Sequence, residues 1–234
     1  VSVCTCLPWV VAGVFADAPG TSSAASAAAF APRAKAHVGT LGSLLGLGGI
    51  WNGQAVPASR ELGFALFGVA LSALLALSWR AVPRRFLLLA AVGFAVAFGS
   101  WAGLTAPLIQ HLPGGGLLRD GQKWLILAIP AFVAAAGALE PRRALAAAAF
   151  ALLQVPDAPV ALAALAPTTV EVPAVDHRGR DVLFESRPAL VPIDGHPVVD
   201  PAPKAMNVVE SGALTVDGVA VDPPSLRWSA AQAA

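Results

Sequence analysis

The sequence predicts a mainly α protein: a polytopic transmembrane helical bundle followed by a small β-containing extracytoplasmic C-terminal tail. Three observations predict it. Of 234 residues, 56% are hydrophobic and only 12% are charged, against about 25% charged in ordinary soluble domains. Long uncharged runs recur through residues 1–166, and mean hydropathy over the chain is +0.70. The charges then crowd toward the end, 15 in residues 1–166 and 14 in residues 167–234, so an apolar body gives way to a polar tail.

Residues 1–16 form the first apolar run. Cys4 and Cys6 lie in it, too close for an easy bridge and without the partners of a zinc site, and read as inert thiols. No Lys or Arg precedes the run, so the charged start of a signal peptide is missing. The expectation is the end of a transmembrane helix that begins upstream, or an alternative-start fragment, with an N-terminal half or a partner subunit missing.

Crossing about 30 Å of hydrocarbon takes about 20 apolar residues. Residues 62–79 carry no charge and are closed by Arg80. Residues 86–109 follow Arg84 and Arg85 and are the clearest span. Residues 124–139 are short, but Lys123 can snorkel to the headgroups. Residues 144–166 are interrupted by Pro156, Asp157 and Pro159; an acid at depth is costly, which marks Asp157 as a possible intramembrane polar site. Residues 38–51, VGTLGSLLGLGGIW, are too short to cross and read as an interfacial or re-entrant segment, or as a small-residue packing surface.

Lys and Arg in short connections set orientation. Arg80, Arg84 and Arg85, and then Arg142 and Arg143, place two connections in the cytoplasm. The loops 17–61 and 110–123 and the tail 167–234 then lie outside, in a cytoplasmic membrane. In the tail, nine of the twenty prolines restrict strands to short pieces. Asp217-Gly218 between Leu214-Thr215-Val216 and Val219-Ala220-Val221 signals a two-residue hairpin. Residues 181–184 and 198–199 are further strand candidates.

Net charge is +1, with no basic stripe, which excludes nucleic acid as a partner. The four histidines lack metal-binding spacing, so no metal site is expected, and no cofactor is identified. Gly116, Gly121 and Lys123 resemble a Walker A loop, but Gln122 intervenes and Trp124 follows. No nucleophile elbow is present. The most informative polar cluster is LPGGGLLRDGQKWL, residues 112–125. Asp120 reads as the N-cap of the following helix, and Arg119 and Lys123 beside it would make the helix start a phosphate site, with His111 in the same outer loop. The outer acids Asp17, Glu61 and Asp120 are the carboxylates available to a transferase.

Residues 40–60 (TLGSLLGLGGIWNGQAVPASR), 112–125 and 200–204 (DPAPK) together resemble the C-terminal half of large polytopic membrane proteins of actinobacterial type. Those resemble the polyprenyl-phosphosugar-dependent glycosyltransferases of the GT-C architecture. The resemblance implies a fragment of a glycosyltransferase-like enzyme, with membrane lipid and a polyprenyl-phosphate-linked sugar as partners and the catalytic acid in a first outer loop outside this chain. Glu185-Ser186-Arg187 stands where a Pro-Trp pair is usual in such proteins. The alternative from the residues alone is a non-catalytic membrane scaffold or transporter component.

Overall fold

The computed structural model describes residues 11, 22–112, 114–163, 165, 167–193, 195–216 and 218–233. Cys4, Cys6 and Asp17, and with them all of the expected 1–16 span except Val11, lie outside the described residues, as does Asp217. The chain divides into two compact units, Val1–Pro159 and Val160–Ala234.

The first unit runs through α1 (Ala24–Ala29), α2 (Gly39–Leu45), α3 (Ala58–Glu61), α4 (Leu66–Ala76), α5 (Arg84–Trp101) and α6 (Ala106–His111). A 3-10 segment (Gly121–Ala128), α7 (Ile129–Gly137) and α8 (Pro141–Leu153) follow, and α9 (Ala158–Ala163) carries the division between the units. The polytopic bundle is thereby corrected. Helices make up about 53% of the chain, but among the described residues α5 alone is long and apolar enough to cross a membrane.

Glycine and proline explain the shortening. Gly63, at φ +103°, turns the chain before α4, whose 11 residues span only about 17 Å. α5 ends in a Schellman motif: Gly103 adopts φ +75°, its N–H donates to the Ser100 carbonyl, and the Leu104 N–H donates to that of Gly99. The expected 86–109 span therefore breaks into α5 and α6. Pro130 has no N–H to give to a preceding turn, and the chain before it is 3-10 rather than α. Pro156 likewise separates α8 from α9, and Pro159 stands in the first turn of α9, where its missing N–H is not needed.

Two glycines bring α5 and the 3-10 segment together. A Cβ on Gly93 would lie 2.5 Å from the Trp124 carbonyl oxygen, and one on Gly121 would overlap the Ser100 side chain. This approach seats Ala97 and Leu125 with Leu44 of α2 in one buried cluster. A second cluster gathers Leu75, Val82, Ala131, Ala135 and Ala147. The 38–51 segment forms α2 and a return loop, and the Cα of Gly68 lies 3.2 Å from the place of a Cβ on Gly46.

The second unit holds two antiparallel hairpins. β1 (Leu190–Ile193) pairs with β2 (His196–Val199), and β3 (Leu214–Val216) pairs with β4 (Val219–Asp222). Between them lies α10 (Ala202–Ala205), and α11 (Leu226–Gln232) follows. Gly218 has φ +78° and Gly195 φ +80°, the left-handed backbone that both Asp-Gly turns require. Pro192 faces Pro197 across the first hairpin. The Ile193–His196 pair closes the turn, so by antiparallel alternation the proline pair is the non-hydrogen-bonded one, where neither missing N–H is needed. Arg187 binds Asp200 through two contacts, Nε to Oδ2 at 2.6 Å and Nη2 to Oδ1 at 2.9 Å, and also donates from Nη2 to the Glu171 carbonyl. Asp200 Oδ1 further accepts the Ala202 N–H. The guanidinium holds the Asp200 carboxyl below the usual carboxylate range.

Gly93→Leu is expected to destabilise the helical unit by about 1–3 kcal/mol, because the side chain meets backbone that cannot swing away. Gly137→Ala, with nothing within 4 Å of its Cβ, should cost nothing. Thermal denaturation of both variants in mild detergent checks this; equal losses would contradict the close approach.

Candidate functional site

The polar cluster around Asp120 is built by two chain segments. Gly114, at φ +77°, turns the chain after α6 into a short 3-10 stretch (Gly115–Leu118), and Gly115 packs directly on the Leu108 backbone. This delivers Arg119 and Asp120 to the start of the Gly121–Ala128 segment. Asp120 has φ −86° and ψ +60° and makes no side-chain capping bond. Its carboxylate accepts from side chains instead. Oδ1 accepts the Trp51 indole N–H at 2.8 Å, and Oδ2 accepts from Lys123 Nζ at 2.6 Å.

The Arg119 guanidinium lies 4.4 Å from the centre of the Phe30 ring, and Phe30 meets Trp51 edge to face at 4.5 Å. Arg119, Asp120 and Lys123 thus belong to one node with Phe30 and Trp51. His111 sits exposed at the end of α6, and no contact of its side chain with that node is shown. The node can anchor aromatic rings and charges at one level of the helical unit. Its anion-binding capacity is reduced, because Lys123 is already matched by the Asp120 carboxylate, and an unmatched cation is what a phosphate recruits. The sequence signal for Trp51 and Phe30 was weak, since both lie about 70 or more residues from Asp120 in the chain.

Asp157 does different work. Pro57, which precedes α3, has no side chain able to cap it. Asp157 supplies the cap from a distant part of the same unit: Oδ2 accepts the Ser59 N–H at 3.0 Å, and Oδ1 accepts the Ser59 hydroxyl at 2.6 Å. The Ser59 hydroxyl first, and then its N–H, hold this carboxyl below the usual carboxylate range. The acid therefore ties the break between α8 and α9 to the start of α3.

Next to it lies a cationic feature that no motif announces. Lys35 is 6% exposed; its Nζ donates to the Ile50 carbonyl at 3.2 Å, and its N–H donates to the Ser43 hydroxyl at 2.9 Å. Burial pushes the amine down, with Arg60 and Arg33 adding to that effect and Glu61 opposing it. Burial also lowers the Arg60 guanidinium, whose Nη2 lies against Gly48. Lys35 thus pins the return loop after α2, and Arg60 packs against it. Among the described residues no three of His, Cys, Asp and Glu gather into a metal-binding group.

Comparisons with protein families, with curated proteins and with solved structures find no match.

Asp157→Ala should lower the thermal stability of the helical unit more than Asp157→Asn, since an Asn oxygen can still accept from Ser59. A depressed folded-state pKa gives stability that is complete above the unfolded value of about 3.9 and is lost as pH falls through the folded one. The gap between wild type and Asp157→Ala should therefore be constant from neutral pH to about 4 and close at lower pH. A gap that stays open in strong acid would rule out the carboxylate cap.

Proposed function

We propose that this chain is a membrane component whose helical unit lies against lipid and acts as a non-catalytic scaffold. The observation that carries this reading is the surface of α5. It is uncharged from Phe86 onward, and only 17% of its apolar window is buried within the protein. The core helix of a water-soluble protein with that composition would be mostly covered. Leu88 is 68% exposed and Val92 50%, and a bilayer removes such area from water at about 25 cal/mol per Å². Leu62, Leu77, Ile126, Val133, Leu145 and Leu152 are exposed as well, beyond what scattered surface leucines explain. The arginines of the two short connections favour the cytoplasmic face for that end of the helical unit.

The glycosyltransferase-like reading implied by the resemblance stands second. The Arg119–Asp120–Lys123 node favours the scaffold, because its carboxylate occupies the lysine that a lipid-linked sugar phosphate would need and does not open the helix start to an anion. In a transferase the reacting groups would then come from outside the described residues, and this chain would hold them at the membrane.

The chain expressed alone in a bacterial host should stay in the membrane pellet after alkaline carbonate extraction. Leu88→Asp with Val92→Asp should shift a large share into the supernatant, whereas Thr215→Asp in the tail should not. Wild-type protein recovered in the carbonate supernatant would overturn the proposal.

A further inference from the structure

The helical unit contains an open cavity of about 230 Å³, below the roughly 300–1,000 Å³ of pockets that take drug-sized ligands. Leu75, Trp79, Val82, Leu87 and Phe132 line it. Of the polar side-chain groups on its wall, the Ser72 hydroxyl is already donated to the Leu45 carbonyl, which leaves the Trp79 indole N–H. A wall of this kind selects hydrocarbon, because any polar group placed there would lose its hydrogen bonds to water.

The cavity is set beside concentrated positive charge. Trp79, Val82 and Leu87 line it, while Arg80, Arg84 and Arg85 interleave with them in sequence and are exposed. Arg80 lies over the Trp79 ring at 5.7 Å and Arg85 over the Phe86 ring at 5.1 Å. Stacking uses the guanidinium face and leaves the edge N–H donors to an anion. Arg84 and Arg85 also occupy the first turn of α5, which holds no acid, where the helix dipole makes cations unfavourable. The second arginine connection belongs to the same region, since Leu139 and Ala147, on either side of Arg142 and Arg143, pack in the cluster that holds Val82, Phe86 and Leu87. The two connections together carry five arginines and one acid, Glu140.

We infer that the cavity and its arginine rim form a binding site for an anionic membrane phospholipid, with an acyl chain in the cavity and the phosphate on Arg84 and Arg85. The inference rests on the membrane reading above. A neutral lipid could fill the cavity equally well but would leave the cations at the helix start uncompensated.

The test uses the full chain in detergent micelles, titrated with phosphatidylglycerol or phosphatidylcholine carrying the same brominated acyl chains. Bromine quenches tryptophan on contact, and the share lost in Trp79→Phe isolates the cavity signal. Phosphatidylglycerol should reach half-maximal quenching of that share at about tenfold lower mole fraction than phosphatidylcholine. Arg84→Gln with Arg85→Gln should erase the difference while the quenching itself persists. Ala135→Phe, which fills the cavity, should abolish it for both lipids; if that variant does not fold, Ala76→Phe at the cavity wall replaces it. Equal half-points for the two lipids in wild type, a preference that survives in the double arginine variant, or quenching that persists in a folded cavity-filled variant would each overturn the site. The micelle titration is independent of carbonate extraction, so the site can fail while the membrane reading stands.

Discussion

The helical unit depends on the backbone contact between α5 and the Gly121–Ala128 segment. Gly93 and Gly121 carry no side chain at the point of approach, and each faces atoms that a Cβ would strike. Dispersion attraction falls steeply with separation, so the missing side chains add contact along the whole length of the pair. Leu125 and Ala97 are buried through this approach, and Leu44 is brought in from α2 to complete the cluster. The same approach fixes the start of the 3-10 segment, and with it the place of Asp120. The Trp51–Asp120 hydrogen bond then joins the loop after α2 to the segment against α5. A chain rich in alanine and glycine cannot fill a core with bulk, and it gains cohesion through proximity instead.

Hydropathy and charge made the division into an apolar body and a polar tail legible, because both are sums over many residues. Helix lengths were not legible. The run from 86 to 109 is apolar throughout, but Gly103 ends the helix by satisfying its last carbonyls locally, a device that hydropathy does not register. The run from 124 to 139 departs from a single α-helix for a similar reason, since Pro130 acts on the turn that precedes it. Asp217-Gly218 between alternating residues announced β3 and β4. Asp194-Gly195 carries the same signal for β1 and β2, but the prolines on either side argue against strands unless they face each other at a non-hydrogen-bonded pair.

The site residues show a different limit. Arg119, Asp120 and Lys123 were found because they are neighbours in sequence, but their role depends on Phe30 and Trp51, which no spacing rule connects to them. The reading of Asp120 as an N-cap rested on its position before an apolar run. A nearby indole N–H and a lysine compete for the same carboxylate, and they hold it. Asp157 stood out as an acid in an apolar stretch, and its partner Ser59 is 98 residues away in the chain. Lys35 and Arg60 gave no signal, because the burial of a cation is a property of the loop that folds over it.

Both units meet the cost of ordering irregular chain with charge rather than with apolar bulk. In the helical unit, Asp157 and Lys35 each bond to backbone groups that helices do not use, at the start of α3 and in the return after α2. In the tail, Arg187 joins the Glu171 carbonyl to Asp200, and Asp200 passes the constraint on to the start of α10. These contacts lie where the chain changes direction, at places rich in proline and glycine that offer few regular hydrogen bonds. A charged side chain there satisfies several backbone groups at once, and a charge-assisted bond is stronger than the neutral one it replaces. That placement explains how a chain with 12% charged residues can devote so many of them to internal contacts. The arginines of the 80–85 and 140–143 connections are the exception: they stack on their neighbours or stand exposed, and among the described residues they tie no backbone turn together.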